Sequence, residues 1–300
     1  MASLVSKISR VAILSIYLFV SITSVASASV VSLYPSSGSN YPVDGYTTLN
    51  VGITPPPPFV ANQWASLRGA ASSNSNDATS YVRAGIHSLG FAAPQSLYDV
   101  FVRGVVLFGF DQTTIPASST INSATLNLYE DSSTLNCTTI TNAQENLRIT
   151  DAPITSSSSL SNADYSLIGS GGATYSTDLD ANSYTSSGYN SITLNSTFIS
   201  YLQGLVGNTT STIELGLRLA ADADNSTPAA ENCTALWQFQ GADMSFPPYL
   251  EIDFTPPAGS PPNVVLSIAL ANSNKSIFLG LILLIVLFII MLWTLRTKTL

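Results

Sequence analysis

The feature that most constrains the fold of this chain is the regular alternation of apolar and polar residues in several short segments. Between Ile213 and Leu219 every second residue is apolar, and the same alternation recurs at residues 124–129, 147–149, 192–194 and 250–254. A period of two places one set of side chains on a core and the other set toward water, as in β-strands. Residues 100–110 are apolar on both faces, which predicts a central strand. These segments are separated by turn-rich stretches and together predict an antiparallel β-sandwich.

One segment follows a different period. From residue 196 to 207 the apolar residues recur at the spacing of an α-helix. Ser196 or Thr197 can cap the start of this helix, and Gly207 can end it. We therefore predict one short helix that covers an open end of the sandwich.

The N-terminus has the pattern of a secretory signal peptide over residues 1–28. Lys7 and Arg10 precede an apolar stretch that is short for a membrane span, and Ala26-Ser27-Ala28 supplies the small residues of a cleavage site. The alternative is an uncleaved N-terminal anchor. Cleavage after Ala28 would export the rest of the chain.

The opposite end predicts a transmembrane helix over residues 276–295. Residues 277–295 contain no charge, and at about 1.5 Å per residue they cross most of a hydrocarbon layer of about 30 Å. A buried core helix is the alternative. Trp293 lies where an interfacial aromatic residue belongs, and the basic residues in the tail at 296–300 favour a cytoplasmic location for it. The expected location is the cell membrane, with a single pass and the N-terminal ectodomain at the cell surface.

Between these ends the chain is acidic. Residues 29–275 contain six basic and 18 acidic side chains, a net charge of −12. Such a surface repels nucleic acid and anionic lipid headgroups, so neither is an expected partner. Residues 29–58 form a Ser/Gly/Pro-rich N-terminal segment and residues 256–275 a proline-rich stalk. Residues 59–255 remain, enough for one β-sandwich ectodomain with a sizeable core.

Two covalent modifications are expected of an exported region. Its two cysteines, Cys137 and Cys233, form an isolated pair that should be a disulfide in an oxidising compartment, with two free buried thiols as the alternative. Two cysteines and a single histidine are too few for a zinc site. Five sequons predict N-glycosylation at Asn136, Asn195, Asn208, Asn225 and Asn232.

Residues 105–129 have a recognisable order of features. A strand that ends Phe-Asp leads through a turn with Ile-Pro-Ala into a strand that ends Ser-Ala-Thr-Leu-Asn-Leu-Tyr. This stretch resembles the DNRLRE-type domain of bacterial and archaeal surface proteins, a carbohydrate-binding-module-like β-sandwich. The later order is similar as well, with a short helix at 197–207, a strand at 213–219 and a closing strand at 248–254.

The resemblance covers roughly residues 60–255 and implies surface display and, in some members, polysaccharide binding. The chain departs from the family at Gly109, where members usually carry Arg, and at residues 240–242, where Gln-Gly-Ala replaces a Ser-x-Glu.

Aromatic side chains are the candidate glycan-binding residues, because the C–H faces of sugars pack on rings. The candidates are Trp64, Tyr81, Tyr98, Trp237 and Tyr249. Trp64 lies in a polar stretch and is expected at the surface. For Trp237 the alternative is a place in the core, since it alternates with Phe239 on one predicted strand.

An acidic loop is the candidate metal site. Asp222, Asp224 and Glu231 could supply oxygen ligands to a structural Ca²⁺ ion, although no EF-hand spacing is present. A solvated acidic turn is the alternative. No other cofactor is expected.

Catalytic motifs are missing from the sequence. His87 is the single histidine, no Gly-x-Ser-x-Gly elbow accompanies it, and there is no phosphate-binding glycine loop. The sequence therefore predicts a membrane-anchored surface protein that is not an enzyme, with a jelly-roll-like sandwich that recognises a glycan or a cell-envelope polymer. The alternative is a structural or adhesive surface or envelope protein, cellular or viral, with protein partners and no glycan ligand. Its oligomeric state is left open.

Overall fold

A computed structural model describes residues 28–35, 44–50, 63–71, 73–76, 80–90, 96–110, 114–137, 142–227 and 233–258. Within these ranges no helix is long and apolar enough to cross a membrane. The predicted transmembrane segment at 276–295, the tail at 296–300 and nearly all of the predicted signal peptide lie outside them.

Strands dominate the part of the chain that the structure describes. They are β1 (Ser29–Leu33), β2 (Asp44–Asn50), β3 (Asn74–Asn76), β4 (Tyr81–Gly90), β5 (Ser96–Phe110), β6 (Thr120–Tyr129), β7 (Thr134–Leu135), β8 (Leu147–Asp151), β9 (Tyr189–Thr193), β10 (Ser211–Leu219), β11 (Cys233–Gln240) and β12 (Tyr249–Thr255). The helices between them are short: α1 (Gln63–Arg68), α2 (Asn142–Glu145), α3 (Asp164–Leu167), α4 (Ser196–Leu205) and α5 (Ala220–Asp224).

The strands form two antiparallel sheets. The four-stranded sheet has the order β1-β12-β6-β9. The eight-stranded sheet has the order β3-β2-β5-β4-β11-β7, and β10 joins it by pairing with both β5 and β8. The predicted all-β sandwich is confirmed at this level.

The predicted alternation explains how the two sheets share one core. Leu126 lies opposite Leu250 in the β6–β12 pair, and both side chains are fully buried. Leu217 lies opposite Ile149 in the β10–β8 pair and is buried in the same cluster. In the four-stranded sheet, strands such as β9 and β12 thus bury every second residue, and the residues between them face outward.

Strand β5 is the central strand that the sequence predicts. It pairs with β2, with β4 and with β10. Val106 and Phe108 point into the main core, whereas Val105 and Leu107 enter a second apolar cluster formed with residues of the 152–168 segment. Gly104 lies where these neighbours crowd together, because a Cβ atom there would be 2.7 Å from the Arg83 carbonyl oxygen. Both faces of β5 are therefore buried.

Helix α4 confirms the predicted helix and corrects its cap. Asn195, rather than Ser196 or Thr197, is the N-cap residue, and its Oδ1 accepts from the backbone N–H groups of Thr197 at 3.0 Å and Phe198 at 3.2 Å. Gly207 follows the helix with φ of 96°, a conformation that favours glycine.

The predicted disulfide is confirmed. Cys137 follows β7 and bonds to Cys233, the first residue of β11, across a sequence separation of 96. Closing a loop of this length is worth about 4–5 kcal/mol in the chain-entropy description. The bond fixes the edge strand β7 to β11.

Candidate functional site: a tyrosine-rich sheet face

The outer face of the four-stranded sheet is the strongest candidate site. We call it the tyrosine face and define it by the outward side chains of its strands and of the loop before β12: Val30, Ser32, Tyr34, Ser123, Thr125, Asn127, Tyr129, Tyr189, Ser191, Thr193, Phe246, Tyr249, Glu251 and Asp253. Their neighbours along each strand, such as Leu126 and Leu250, point into the core. Strand periodicity therefore puts these polar and aromatic groups together on one surface.

Five aromatic rings run continuously across one end of this face. The ring centroids of Tyr34 and Tyr249 are 5.6 Å apart, and Tyr249 and Tyr189 are 5.3 Å apart. Tyr189 contacts Tyr129 at 5.3 Å, and Tyr129 stacks on Phe246 at 4.4 Å. Tyr34 is 54% exposed and Phe246 is 44% exposed. The result is an aromatic surface open to solvent at both ends.

Strand register places these rings together. Tyr129 lies opposite Tyr189 in the β6–β9 pair, and Tyr249 lies opposite Asn127 in the β12–β6 pair. The Tyr189 hydroxyl donates to the Pro247 carbonyl at 3.0 Å, which ties the loop that holds Phe246 to the sheet. The arrangement is thus built on paired strands and does not depend on a free loop.

Polar groups adjoin the rings. Ser191 donates to Asn127 Oδ1 at 2.6 Å in the same row as Tyr249. Glu251 is exposed in the next row, and Asn122 Nδ2 donates to the Asp253 carboxylate at 3.1 Å. No lysine or arginine occurs among the residues that define the face. Its charge is therefore negative, carried by two carboxylates.

The hydroxyls of Tyr189 and Tyr249 have a raised pKa and stay protonated across the physiological pH range. Burial raises the pKa of Tyr189, and its neighbours Tyr249, Tyr34 and Tyr129 raise it further. Burial and the Glu251 carboxylate likewise raise the pKa of Tyr249. A neutral phenol can both donate and accept a hydrogen bond.

Of the five aromatic residues that were predicted to bind a glycan, only Tyr249 lies on this face. The surface prediction for Trp64 is wrong: it is 1% exposed, packs edge-on against Phe101 at 5.0 Å, and its Nε1 donates to Asn225 Oδ1 at 3.2 Å. Helix α1 directs this side chain inward despite the polar sequence around it.

The core alternative for Trp237 is confirmed. Trp237 is fully buried, and its Nε1 donates to the Glu145 carbonyl at 2.8 Å. Neither tryptophan can therefore serve as a glycan platform. Tyr81 is partly buried beside Arg83 on the other sheet, and the side chain of Tyr98, on β5, lies outside the described residues.

The calcium interpretation of Asp222 is wrong. Its carboxylate is 2% exposed and accepts from three arginines, which we call the arginine cluster: Arg68 at 3.1 Å, Arg103 at 2.8 Å and Arg218 at 2.7 Å. Burial by itself raises the pKa of Asp222, but the Arg103 and Arg218 guanidiniums hold it well below its usual range. The three guanidiniums occupy the oxygens of this carboxylate and give the cluster a net positive charge, which disfavours a metal ion there.

The arginine cluster joins elements that are distant in sequence. Arg68 ends α1, Arg103 lies on β5, Arg218 on β10 and Asp222 on α5. Arg103 also donates to the Tyr165 carbonyl at 2.8 Å, and its guanidinium lies 4.3 Å from the centre of the Tyr165 ring. The role of the arginine cluster is structural, because the cluster fastens short helices to the eight-stranded sheet.

The other two proposed calcium ligands do not join Asp222. Asp224 forms an ion pair with Arg148, which also pairs with Asp178 at 2.7 Å. Glu231 lies outside the described residues. The described part of the chain contains no group of three acidic, histidine or cysteine side chains placed to hold a metal ion.

The described sequons differ in accessibility. Asn208 is exposed, and Asn136 is exposed with its Oδ1 accepting from Thr234 N at 2.7 Å. Asn195 uses its Nδ2 to donate to the Thr174 carbonyl at 2.8 Å while its Oδ1 caps α4, so a glycan on Nδ2 would crowd the bond to Thr174. Asn225 accepts from Trp64, and Asn232 lies outside the described residues.

Sequence reasoning missed four of the five rings of the tyrosine face. Tyr129 sits at an outward position of the alternating segment 124–129, and Tyr189 lies three residues before the segment 192–194 on its outward period, which is a visible signal. That signal does not say which strands are neighbours, and Tyr34 and Phe246 lie just outside the strands.

Comparisons with known proteins do not assign a family. No protein-family model matches the chain, and no curated protein matches it significantly. The resemblance described above therefore stays an expectation, and a function has to be argued from the geometry.

Proposed function

We propose that this chain is a membrane-anchored cell-surface protein whose non-catalytic, jelly-roll-like β-sandwich binds a neutral glycan or cell-envelope polymer on its tyrosine face. The observation that supports this most directly is the row of five contacting aromatic rings, which is exposed at Tyr34 and Phe246. The resemblance to a carbohydrate-binding-module-like domain points the same way.

The chemistry of the face suits a sugar. Pyranose rings present C–H groups that pack on aromatic rings, and hydroxyl groups that need polar partners beside them. The rings of Tyr34 and Tyr249 offer the first kind of contact, and Asn127, Ser191 and Glu251 lie within one or two rows of them. Both kinds of contact are thus available on one sheet surface.

The charge of the face selects among glycans. Its only formal charges are the carboxylates of Glu251 and Asp253. An acidic polysaccharide would be repelled at this surface, whereas a neutral one would not. A neutral polymer is therefore the better ligand for the face.

Membrane attachment belongs to the same proposal. It is supported by the signal-like pattern at residues 1–28, the uncharged run at 277–295 and the proline-rich stalk between sandwich and membrane. An arrangement of this kind would hold the sandwich close to the cell surface, where envelope polymers are found.

A second candidate function is self-association through strand β1. This strand lies at the edge of the four-stranded sheet, and Val30 on it is 61% exposed. An unpaired edge with exposed apolar side chains can add a strand from another molecule. In that case the protein would be a structural or adhesive component with protein partners.

The full chain in phosphatidylcholine nanodiscs can be tested for binding to cellulose, xylan, mannan and chitin, with acidic polygalacturonate for comparison. We expect saturable binding to a neutral polymer that weakens about tenfold in Tyr34→Ala and Tyr249→Ala, the loss of one aromatic contact. Tyr249→Phe keeps the ring and should retain binding, and Ser200→Ala, which is exposed on α4 and lies outside the face, is the control.

Two results would contradict glycan binding by this face. One is the absence of binding to every neutral polymer by folded protein, and the other is binding that the alanine variants leave unchanged. Concentration-dependent association that disappears in Val30→Lys, without glycan binding, would support the edge-strand function instead.

A further inference from the structure

The eight-stranded sheet carries a second concave feature, which is separate from the tyrosine face. It is a cavity of about 370 Å³ with a polar wall formed by Tyr46, Thr48, Asn74, Ser75 and Arg83 and an apolar floor that includes Val102. Four strands of the sheet supply these residues: β2, β3, β4 and β5. The volume is within the range of roughly 300–1,000 Å³ typical of small-molecule sites.

Arg83 distinguishes this cavity from the rest of the described surface. The structure describes five arginines, and Arg68, Arg103, Arg148 and Arg218 each form an ion pair with a carboxylate. Arg83 forms no ion pair with any described residue. Its Nη1 donates to the Tyr46 hydroxyl at 3.2 Å, and its Nε is buried without a hydrogen-bond partner among the described residues.

Two tyrosine rings hold the Arg83 guanidinium in place. Its central carbon lies 5.1 Å from the centroid of the Tyr46 ring and 5.5 Å from that of Tyr81. Cation–π contacts of this kind orient a guanidinium but do not neutralise it. A planar cation that is positioned and not neutralised is suited to a carboxylate, which it can bind through two parallel hydrogen bonds.

The remaining wall indicates what else the ligand carries. Thr48 supplies a hydroxyl group and Asn74 an exposed amide, and both line the same cavity as Arg83. Such groups satisfy hydroxyls on a ligand, while Val102 and the Tyr46 ring suit its C–H face. We propose that the cavity binds a sugar acid, with the carboxylate of a uronic acid on Arg83 and its hydroxyls on Thr48 and Asn74.

This proposal goes beyond the glycan function and does not depend on it. The tyrosine face has carboxylates and no cation, whereas the cavity has a cation that no described carboxylate neutralises. The two sites therefore favour ligands of different charge, neutral on the tyrosine face and anionic in the cavity, and a variant of one can serve as the control for the other.

Calorimetric titration of the full chain in phosphatidylcholine nanodiscs provides the test. Sodium glucuronate and galacturonate should bind, and glucose and the methyl ester of glucuronate should bind at least about tenfold more weakly, because they lack the charge-assisted pair. Arg83→Gln should abolish glucuronate binding, and Arg83→Lys should restore only part of it, because an ammonium group lacks the planar fork.

Two further variants keep the test sharp if Arg83→Gln folds poorly. Thr48→Val removes one hydroxyl with little change of size and should weaken the binding of glucuronate. The binding of acetate, which has a carboxylate but no hydroxyl groups, should be unchanged. Tyr249→Ala, on the tyrosine face, should leave glucuronate binding unchanged. The proposal is overturned if folded wild-type protein does not bind uronates, if glucose binds as tightly, or if an acetylated amino acid binds as well as glucuronate, which would indicate a peptide carboxylate.

Discussion

The arginine cluster and the tyrosine face are both assembled from residues far apart in sequence, yet they differ in exposure. Asp222 is 2% exposed and has a hydrogen-bonding partner on every side, whereas Tyr34 is 54% exposed and Phe246 44%. Charge has been taken into the interior in one region, and apolar surface has been left in water in the other. Each runs against the usual distribution of residue types.

This difference in exposure distinguishes structural clusters from functional clusters in this fold. A buried carboxylate is tolerated only when cations and hydrogen bonds compensate for its lost hydration, so the arginine cluster is complete as it stands. The exposed rings of Tyr34 and Phe246 each contact a neighbouring ring but keep part of their surface in water, and the proposed ligand would cover that surface. Substitutions should therefore affect stability in the first region and binding in the second.

The largest effect is expected for Asp222→Asn. The change leaves three guanidiniums facing an uncharged amide in the protein interior, and removing one partner of a buried ion pair typically costs about 3–5 kcal/mol. Urea unfolding monitored by tryptophan fluorescence measures this cost. Any variant molecules that remain folded should bind a neutral glycan as the wild type does.

Asp224→Asn is the matched control for that variant. It lies two residues away and loses an ion pair with Arg148, but its side chain is 54% exposed, so the cost should be below about 1 kcal/mol. Equal costs for the two variants would show that burial of the carboxylate is not what matters.

The next largest effect concerns Asp44, whose buried carboxylate forms no ion pair with an arginine among the described residues. Burial raises its pKa to about 6, against the hydrogen bond that its carboxylate accepts from Ala242 N at 2.6 Å. Because the folded pKa lies above the unfolded value of 3.8, the folded state binds the proton more tightly. The Asp44 contribution to stability is therefore greatest below about pH 4 and is lost as the pH rises through about 6.

Asp44→Asn should remove this pH dependence. Relative to wild type, the variant should gain up to about 3 kcal/mol of unfolding free energy between pH 4 and pH 7. Asp222 has the opposite sign: its lowered pKa gives stability that is present above about pH 4 and is lost under acid conditions. Parallel pH profiles for wild type and Asp44→Asn would contradict the assignment.

A smaller effect is expected for Trp64→Phe, in the main core. The variant loses the hydrogen bond from Nε1 to Asn225 and some packing against Phe101, a cost of about 1–2 kcal/mol. Thermal unfolding followed by circular dichroism measures it. Unchanged stability together with lost glycan binding would instead restore Trp64 as a surface ligand.

The smallest effect on stability is expected at Tyr34, on the tyrosine face. Tyr34→Ala removes a half-exposed ring and should change the unfolding free energy by no more than about 0.5 kcal/mol. The same variant is expected to weaken glycan binding about tenfold. A large loss of stability would mean that the ring is part of the packing. It would contradict the expectation that substitutions on the tyrosine face affect binding and not stability.

Much of the fold could be predicted from local patterns. The alternation at residues 124–129 and 213–219 became the strands β6 and β10, and the helical spacing after residue 196 became α4. The disulfide was predicted from the presence of two cysteines and the expected oxidising compartment. These features depend on side-chain period and composition, which are properties of the chain itself.

The candidate sites could not be predicted in this way. Trp64 lies among polar residues, but α1 turns its ring toward Phe101. Asp222 lies in a typical acidic loop sequence, but the folding of β5 and β10 brings Arg103 and Arg218 to it. The contacts of Asp222 with Arg68 and Arg103 span 154 and 119 positions, and no local pattern encodes contacts of this kind.

For the described part of the chain, local patterns were enough to predict strands with one buried side, the helix α4 and the disulfide, because period, capping and cysteine number act locally. Which outward side chains contact one another depends on the tertiary structure. The order β1-β12-β6-β9 brings Tyr34, Tyr249, Tyr189 and Tyr129 together, and the packing of α1 and α5 on the other sheet closes three arginines around Asp222. Strand order and helix docking follow from the free energy of the whole core, and a pattern read along the chain contains no information on them.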